Sequence, residues 1–210
     1  METQNNAVHI RRRPTVAACY LASVTQAAVC CLAPLLFVIF NTRFSLALDK
    51  IGLLVSLGFV LQILTDFAAS RFVPKIGYRV SAVAAHILCA AGLLMLGLLP
   101  LCMPIFPALI LAYVVTNIGG GLLEVITSPI VDGISDQNNS RAISLLHSFY
   151  CWGVVAVVGL TTLVDVFLPD ELWYLLPVLW TALPAANAIL FCFVYLPKAQ
   201  EERVKHGLRV

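Results

Sequence analysis

The chain has 210 residues, of which 60% are hydrophobic and 11% are charged, and its formal net charge is +2. Because a soluble domain normally carries about 25% charged residues, this composition excludes a soluble globular protein and indicates an integral membrane protein. The near-neutral net charge, without a strongly basic cluster, argues against a nucleic-acid partner. The high hydrophobic content makes the lipid bilayer the first expected partner.

Six segments are long and apolar enough to cross a bilayer, which takes about 20 such residues. In chain order they are Thr15–Phe40, Ile51–Ala69, Val80–Leu99, Ile105–Val131, Ala142–Phe167 and Leu172–Leu196. No soluble domain interrupts them. The sequence therefore predicts an all-α, six-helix membrane bundle over residues 15–197, preceded by a short segment at 1–14 and followed by a charged tail at 198–210. Pro129 and Pro184 are expected to kink or end their helices.

Basic residues in short loops accumulate on the cytoplasmic side of a membrane protein. Six crossings place both termini on one side, and that side holds eleven of the thirteen basic residues, whereas Arg43 and Lys50 fall on the other. The first apolar segment is also too long for a cleaved signal peptide, so we expect it to be retained. The prediction is a multi-pass protein of the cytoplasmic (inner) cell membrane with both termini cytoplasmic.

Glu124 is the most informative residue of the fourth segment. An ionisable side chain near the bilayer centre costs roughly 2.5–3.5 kcal/mol on insertion scales, and such residues are usually functional. On a helix, one stripe combines Glu124 with Asn117, Gly120, Gly121 and Ser128. This small and polar stripe is expected to face protein or a water-filled cavity rather than lipid.

No signature of an enzyme, a metal site or a cofactor site is found in the sequence. The seven cysteines lie mostly inside apolar segments and form no C-x-x-C pair, so we interpret them as packing residues. The chain also lacks the H-E-x-x-H, G-x-S-x-G and P-loop motifs. We expect no enzymatic activity, no metal and no cofactor.

Residues 70–79, between the second and third segments, read Ser-Arg-Phe-Val-Pro-Lys-Ile-Gly-Tyr-Arg. This basic stretch, with Arg71, Lys75, Gly77 and Arg79, resembles the cytoplasmic loop signature of the major facilitator superfamily (MFS). That signature is Gly, three residues, Asp, a basic residue, any residue, Gly, any residue and then basic residues. Taken from the residues alone, the stretch is equally consistent with a basic turn that follows the positive-inside rule.

The match to that signature is incomplete at two positions. Ser70 stands where the signature has Gly, and Pro74 stands where it has Asp. In the family this Asp braces the two halves of the transporter, and the chain lacks it.

The fourth segment extends the resemblance to fucose-permease-like sugar/proton symporters of the same superfamily. Its Gly-Gly-Leu-Leu-Glu run, which ends at Glu124, is followed by Ser128-Pro129, where those proteins have Asn-Pro. The fifth segment, at residues 145–153, is similar to their Leu-Asn pattern, with His147 in place of Asn. The resemblance implies that Glu124 takes part in proton coupling and substrate binding.

Helix geometry brings Glu124 and His147 to a similar depth. Glu124 lies seven residues before Val131, and His147 lies five residues after Ala142, at the ends expected on the same membrane side. At 1.5 Å per residue both lie roughly 8–10 Å into the membrane. We therefore predict a proton-coupling pair. The alternative for Glu124 is a structural role as a hydrogen-bonding link between helices, and the alternative for His147 is helix packing or an interfacial position.

Three further side chains are candidates for contact with a polar solute. The amides of Gln26 and Asn117 can bind sugar hydroxyls or tie helices together, and Trp152 can stack on a sugar ring or pack against a neighbour. Other polar residues of the membrane segments are assigned structural roles: Gln62, Asn187, His86 with no evident partner, and Asp66 as a helix cap or the ion-pair partner of Arg71.

Members of the resembled family usually have twelve spans in two six-helix halves, with the site between them. The six spans here match the N-terminal half, so we expect a truncated or split product, or a half-transporter that pairs with a second six-helix half. The predicted function is secondary active transport of a small polar solute such as a sugar, driven by protons through alternating access. The alternative is a six-span accessory or assembly protein that does not transport.

Overall fold

A computed structural model describes residues 2–134 and 139–197, and the side chains in these ranges except those of 2–12, 139 and 170. The predicted tail at 198–210 lies outside the described residues. All regular secondary structure of the described residues is helical, which confirms the predicted all-α class. Its helices are α1 (Glu2–Phe44), α2 (Leu48–Ile76), α3 (Tyr78–Cys102), α4 (Ile105–Ile134), α5 (Asn139–Phe167), α6 (Leu175–Trp180) and α7 (Ala182–Phe193).

Six segments of these helices are long and apolar enough to cross a membrane. The helices α1 to α5 provide one span each, and α6 and α7 together provide the sixth, over Leu175–Phe193. A 3₁₀ turn at Asp170–Leu172 precedes the sixth span. The six-helix bundle predicted from the sequence is therefore confirmed.

The predicted loop at residues 70–79 is wrong in extent. The helix α2 continues through Pro74 to Ile76, and only Gly77 separates it from α3. Hydropathy marks where the apolar crossing ends, whereas this helix continues past that point with polar and basic residues. Gly77 has φ +90° and ψ 155°, a backbone conformation that is essentially restricted to glycine.

The sixth span is interrupted at Thr181, between α6 and α7. Pro184 is the third residue of α7, where its missing N–H cannot bond to the carbonyl of Trp180. The Thr181 hydroxyl donates to the Pro177 carbonyl oxygen at 3.0 Å, one turn before the interruption. The other proline expected to act in this way, Pro129, lies inside α4 without ending it.

The helix α4 lies in the middle of the bundle and packs against α1, α2, α3 and α5. Its closest neighbour is α3, and two glycines permit this approach. A Cβ on Gly92 of α3 would lie 2.8 Å from the Cα of Thr116, and a Cβ on Gly119 of α4 would lie 2.8 Å from the backbone nitrogen of Cys89. Small residues allow membrane helices to approach in this way.

Two apolar cores stabilise opposite ends of the bundle. One includes Ala18, Ile126 and Phe191, near the start of α1. The other surrounds Trp173, whose indole meets the rings of Phe40 and Phe44 edge to face at 5.4 and 5.6 Å.

The helices α2 and α5 are the least buried of the spans. Only 11% of the apolar window of α2 and 17% of that of α5 are buried, against 39–50% for the other four spans. Large side chains such as Phe59 and Ile63 on α2 and Val155 on α5 are more than half exposed. These two helices therefore border an open side of the bundle, where the polar residues described next are found.

Candidate functional site

Glu124 lies on α4 with an exposed side chain, and two amides from neighbouring helices converge on one of its oxygens. The Nε2 of Gln26 on α1 donates to Glu124 Oε2 at 3.0 Å. The Nε2 of Gln62 on α2 donates to the same oxygen at 2.5 Å. Three helices thus meet at a single carboxylate. We call Gln26, Gln62 and Glu124 the amide–carboxylate cluster.

Asp66 borders this cluster from α2, one turn beyond Gln62. The Nε2 of Gln62 lies 3.5 Å from Asp66 Oδ1 and so links both carboxylates. Gly121 on α4 leaves room for Asp66, because a Cβ there would lie 3.3 Å from Asp66 Oδ1 and 3.0 Å from Thr65 Cβ. The glycine run of α4 thus has two roles. Gly119 permits close packing against α3, and Gly121 leaves room for Asp66 beside the polar cluster.

One assignment made from the sequence is wrong at this point. Asp66 does not pair with Arg71, whose guanidinium lies over the Phe67 ring at 4.4 Å instead. Gln62, which was assigned a structural role, holds the carboxylate of Glu124. Depth along the helix is the sequence feature that could have identified Asp66 as a neighbour of Glu124. Both residues lie ten residues before the end of their helices, at Ile76 and Ile134.

The helix α5 contributes the fourth wall of the site. His147 is exposed and interacts electrostatically with Glu124, as Asp66 does, without a hydrogen bond between the two side chains in the described structure. Tyr150, about one turn further along α5, lies close to Cys30 of α1. Cys30 and Tyr150 extend the polar lining beyond the residues named from the sequence.

The other two candidates for solute contact lie at different positions. Asn117 is half-buried two turns before Glu124, donates from Nδ2 to its own helix at Tyr113 O (2.8 Å), and faces Gly58 of α2. Trp152 is 71% exposed and lies five residues after His147. Five residues turn a helix by about 140° beyond a full turn, so Trp152 does not share the face of α5 that carries His147.

His86 is fully buried and has the partner that the sequence did not reveal. Its Nε2 lies 2.8 Å from Asn187 Nδ2, and its Nδ1 lies 2.7 Å from the Ala82 carbonyl oxygen. The same Asn187 amide donates to the Ala18 carbonyl oxygen at 3.1 Å. This buried network joins α1, α3 and α7 and supports the structural role assigned to His86 and Asn187.

The signature residues lie around the α2–α3 connection. Lys75 is exposed in the last turn of α2, and Gly77 forms the connection itself. Arg79 donates to the last carbonyls of the sixth span: Phe191 O at 3.0 Å, Val194 O at 2.8 Å and also Cys192 O. A cation at a helix C-terminus is favourable because the terminal carbonyls carry partial negative charge. Arg79 is therefore a helix cap that ties α3 to α7.

The chemistry of the site is hydrogen bonding and proton exchange. Its groups are two carboxylates, two amides, one imidazole, one phenol and one thiol. Within the described residues, no three His, Cys, Asp or Glu side chains are grouped so as to hold a metal ion.

Comparison with known proteins identifies the family. The family model of the Major Facilitator Superfamily matches residues 12–209. Among solved structures, the inward-open xylose transporter XylE from E. coli superposes with a TM-score of 0.73 at 13% identity, covering 90% of this chain and 49% of that one. The proton:xylose symporter XylE bound to 6-bromo-6-deoxy-D-glucose superposes with a TM-score of 0.74 at 12% identity, covering 92% of this chain and 46% of that one.

This chain thus spans about half the length of both structures, and at these identities the likeness shows the fold alone. No curated protein sequence matches the chain. The resemblance to the major facilitator superfamily is confirmed, and so is the prediction that the chain belongs to a transporter family rather than among enzymes. Since the family model covers nearly its whole length, the chain belongs to the Major Facilitator Superfamily.

Proposed function

We propose that this chain is the N-terminal six-helix half of a secondary active transporter that couples the movement of a small polar solute, such as a sugar, to protons. The observation that carries the proposal is the amide–carboxylate cluster. Glu124 is an ionisable residue within a membrane span, on the open side of the bundle, and amides from α1 and α2 bind it. Such intramembrane carboxylates mark ion and substrate pathways.

Glu124 is the proposed proton carrier because its two amide partners suit both of its protonation states. A glutamine donates through Nε2 to the ionised carboxylate and accepts through Oε1 from the protonated one. Rotation of Gln26 or Gln62 therefore keeps the group bonded whether or not it holds a proton. His147 and Asp66 lie within electrostatic range of Glu124 and adjust how readily the proton is exchanged.

The same residues suit a hydroxylated solute. A sugar hydroxyl both donates and accepts hydrogen bonds, as do the amides of Gln26, Gln62 and Asn117. Protonation of Glu124 replaces an acceptor with a donor, which changes the hydrogen bonds available to the solute. This change is the proposed physical link between proton binding and solute binding.

The proposed partner is a second six-helix half that covers the exposed faces of α2 and α5. This half comes from a second chain or from further sequence of the same protein. Alternating access would then move the two halves around the cluster, as in transporters built from repeats. With eleven of thirteen basic residues on the side of the termini, we propose a cytoplasmic location for both termini, in the inner membrane of the cell.

The test is uptake into proteoliposomes that contain the chain together with its second half. A panel of labelled sugars and other polar solutes is tested with and without an inward pH gradient. We expect uptake that depends on the gradient and is lost in Glu124→Gln. The control is Glu171→Gln, the same change at the exposed 3₁₀ turn.

Two results would contradict the proposal. Gradient-driven uptake that persists in Glu124→Gln would exclude Glu124 as the proton carrier. Uptake by the 210-residue chain reconstituted alone at monomer dilution would show that no second half is needed.

A further inference from the structure

A groove on the outer surface of the bundle, away from the amide–carboxylate cluster, separates α2 from α3 above a floor formed by α4. Its volume is about 470 Å³, which lies within the range of roughly 300–1,000 Å³ typical of ligand pockets. Eleven of its thirteen lining residues are apolar, and they include Ala68 and Phe72 of α2, Ala84 of α3, and Ile118 and Leu122 of α4. We call this feature the α2–α3 groove.

The groove arises because α2 and α3 each pack on α4 and hardly on each other. One of its two hydroxyls, that of Ser81, is occupied by a 2.9 Å hydrogen bond to the Gly77 carbonyl oxygen. The wall thus offers little to a polar ligand. It suits a hydrocarbon chain.

The groove is long enough to span one bilayer leaflet. Along α2 it extends from Leu61 to Ile76, a rise of roughly 22 Å, while half of the hydrocarbon core is about 15 Å thick. It ends at the α2–α3 connection, where Lys75 and Arg71 are exposed. Lys75 lies in the row of α2 next to the groove residues Phe72 and Ile76, whereas the Arg71 guanidinium lies over the ring of Phe67, on the opposite stripe.

A second transporter half does not account for the groove, because the groove lies on the far side of α2. Ile63, on the exposed stripe of α2 that also carries Phe59 and Phe67, is nine residues from Phe72. Nine residues turn a helix by about 180° beyond two full turns. A partner that covers the Ile63 stripe therefore leaves the groove open to the bilayer.

We propose that the α2–α3 groove is a binding site for an anionic phospholipid, with one acyl chain between α2 and α3 and the phosphate against Lys75. Basic side chains beside a bilayer attract anionic headgroups, and the apolar walls take up the chain. Arg79 is not part of this headgroup site, because its guanidinium binds the carbonyls at the end of α7.

The test measures lipid binding to the full chain purified in neutral detergent. Bound lipid is counted by native mass spectrometry during titration with phosphatidylglycerol or phosphatidylcholine, and the melting temperature is recorded in parallel. We expect phosphatidylglycerol to bind at least tenfold more tightly and to raise the melting temperature more. Equal binding of the two lipids would overturn the headgroup assignment.

Two sets of variants separate the two parts of the site. Ala68→Trp fills the groove and should weaken phosphatidylglycerol binding at least tenfold, whereas the control Ile63→Trp, on the opposite face of the same helix, should not. Ala84→Trp repeats the test from the α3 wall, so that misfolding of one variant leaves the other. Lys75→Gln should reduce phosphatidylglycerol binding to the phosphatidylcholine level, whereas Lys50→Gln at the other end of α2 should not.

The remaining outcomes have defined meanings. Unchanged lipid binding in both folded tryptophan variants would exclude the groove as the site of the chain. Displacement of phosphatidylglycerol by soluble glycerol phosphate at similar concentration would show a phosphate site without a lipid site, and would also overturn the proposal.

Discussion

Gln62 on α2 donates a 2.5 Å hydrogen bond from Nε2 to Oε2 of Glu124 on α4. The same oxygen accepts a 3.0 Å hydrogen bond from Gln26 on α1. Because both amides end on one oxygen, a change in the protonation of Glu124 alters contacts with α1 and α2 at once. Protonation of Glu124 can therefore change the relative positions of α1, α2 and α4.

We expect Gln62→Ala to reduce gradient-driven uptake by about 10- to 100-fold, since a hydrogen bond to a charged group contributes roughly 1.5–3 kcal/mol. The measurement is kcat/KM for uptake in proteoliposomes that contain both halves. The control is Ser56→Ala on the same helix, whose hydroxyl bonds only to its own helix at Gly52 O. Wild-type uptake in Gln62→Ala would show that the 2.5 Å contact has no part in transport.

The fold could be predicted from the sequence because each crossing needs a long apolar run, and six such runs are present. The ends of the helices could not be predicted in the same way. At the end of α2, the residues from Ser70 to Ile76 are polar and basic enough to suggest a loop, but the helix continues through them. A hydropathy pattern identifies the residues that lie in lipid, whereas a helix can continue into residues outside the lipid.

The site could be predicted only in part. Glu124 was evident because a charge inside an apolar run is conspicuous, and Gln26 followed from its position in the first span. Asp66 was assigned the wrong partner and the bond from Gln62 to Glu124 was not foreseen, since sequence reveals depth along a helix but not which face meets which neighbour. That choice depends on Gly121, whose missing side chain lets α2 approach α4 beside Asp66.

Two glycine-to-alanine changes should have opposite effects on stability. Gly92→Ala places a Cβ 2.8 Å from the backbone of Thr116, so α3 and α4 must separate, at a cost of about 1–3 kcal/mol. Gly52→Ala meets nothing within 4 Å and should stabilise α2 by roughly 0.5–1 kcal/mol. Melting temperatures in detergent test both. A variant Gly92→Ala that is as stable as the wild type would contradict the tight α3–α4 contact.

Arg79→Gln should loosen the end of the sixth span without unfolding the bundle. Arg79 supplies the donors for the carbonyl oxygens of Phe191, Cys192 and Val194, and those carbonyls lack partners within α7. Amide hydrogen exchange of the peptide that covers residues 188–197 should become at least tenfold faster. Lys75→Gln, in the last turn of α2 before the connection, is the matched control. Equal exchange in the two variants would rule out the capping role.

The buried pair of His86 and Asn187 should behave as one unit in stability and have no effect on transport. Each side chain is at most 1% exposed, so removing one deprives the other of a buried hydrogen-bond partner, at a cost of about 1–3 kcal/mol. Replacing both partners by apolar groups removes that penalty. We therefore expect the double variant His86→Leu/Asn187→Leu to be less destabilised than the sum of the two single variants, and a double-mutant cycle measures the difference.

Asn187 gives a second reason to expect that the double variant loses less stability than the two single variants together. Its Oδ1 is buried and has no hydrogen-bond partner among the described residues, and leucine removes this unsatisfied atom. This gain in stability is limited, because the Ala18 carbonyl oxygen loses its hydrogen bond from Asn187. Additive losses in the cycle would show that the 2.8 Å contact between His86 and Asn187 is not energetically coupled. Loss of gradient-driven uptake in a folded double variant would instead assign this network a role in coupling, because it joins α1, the helix of Gln26, to α3 and α7.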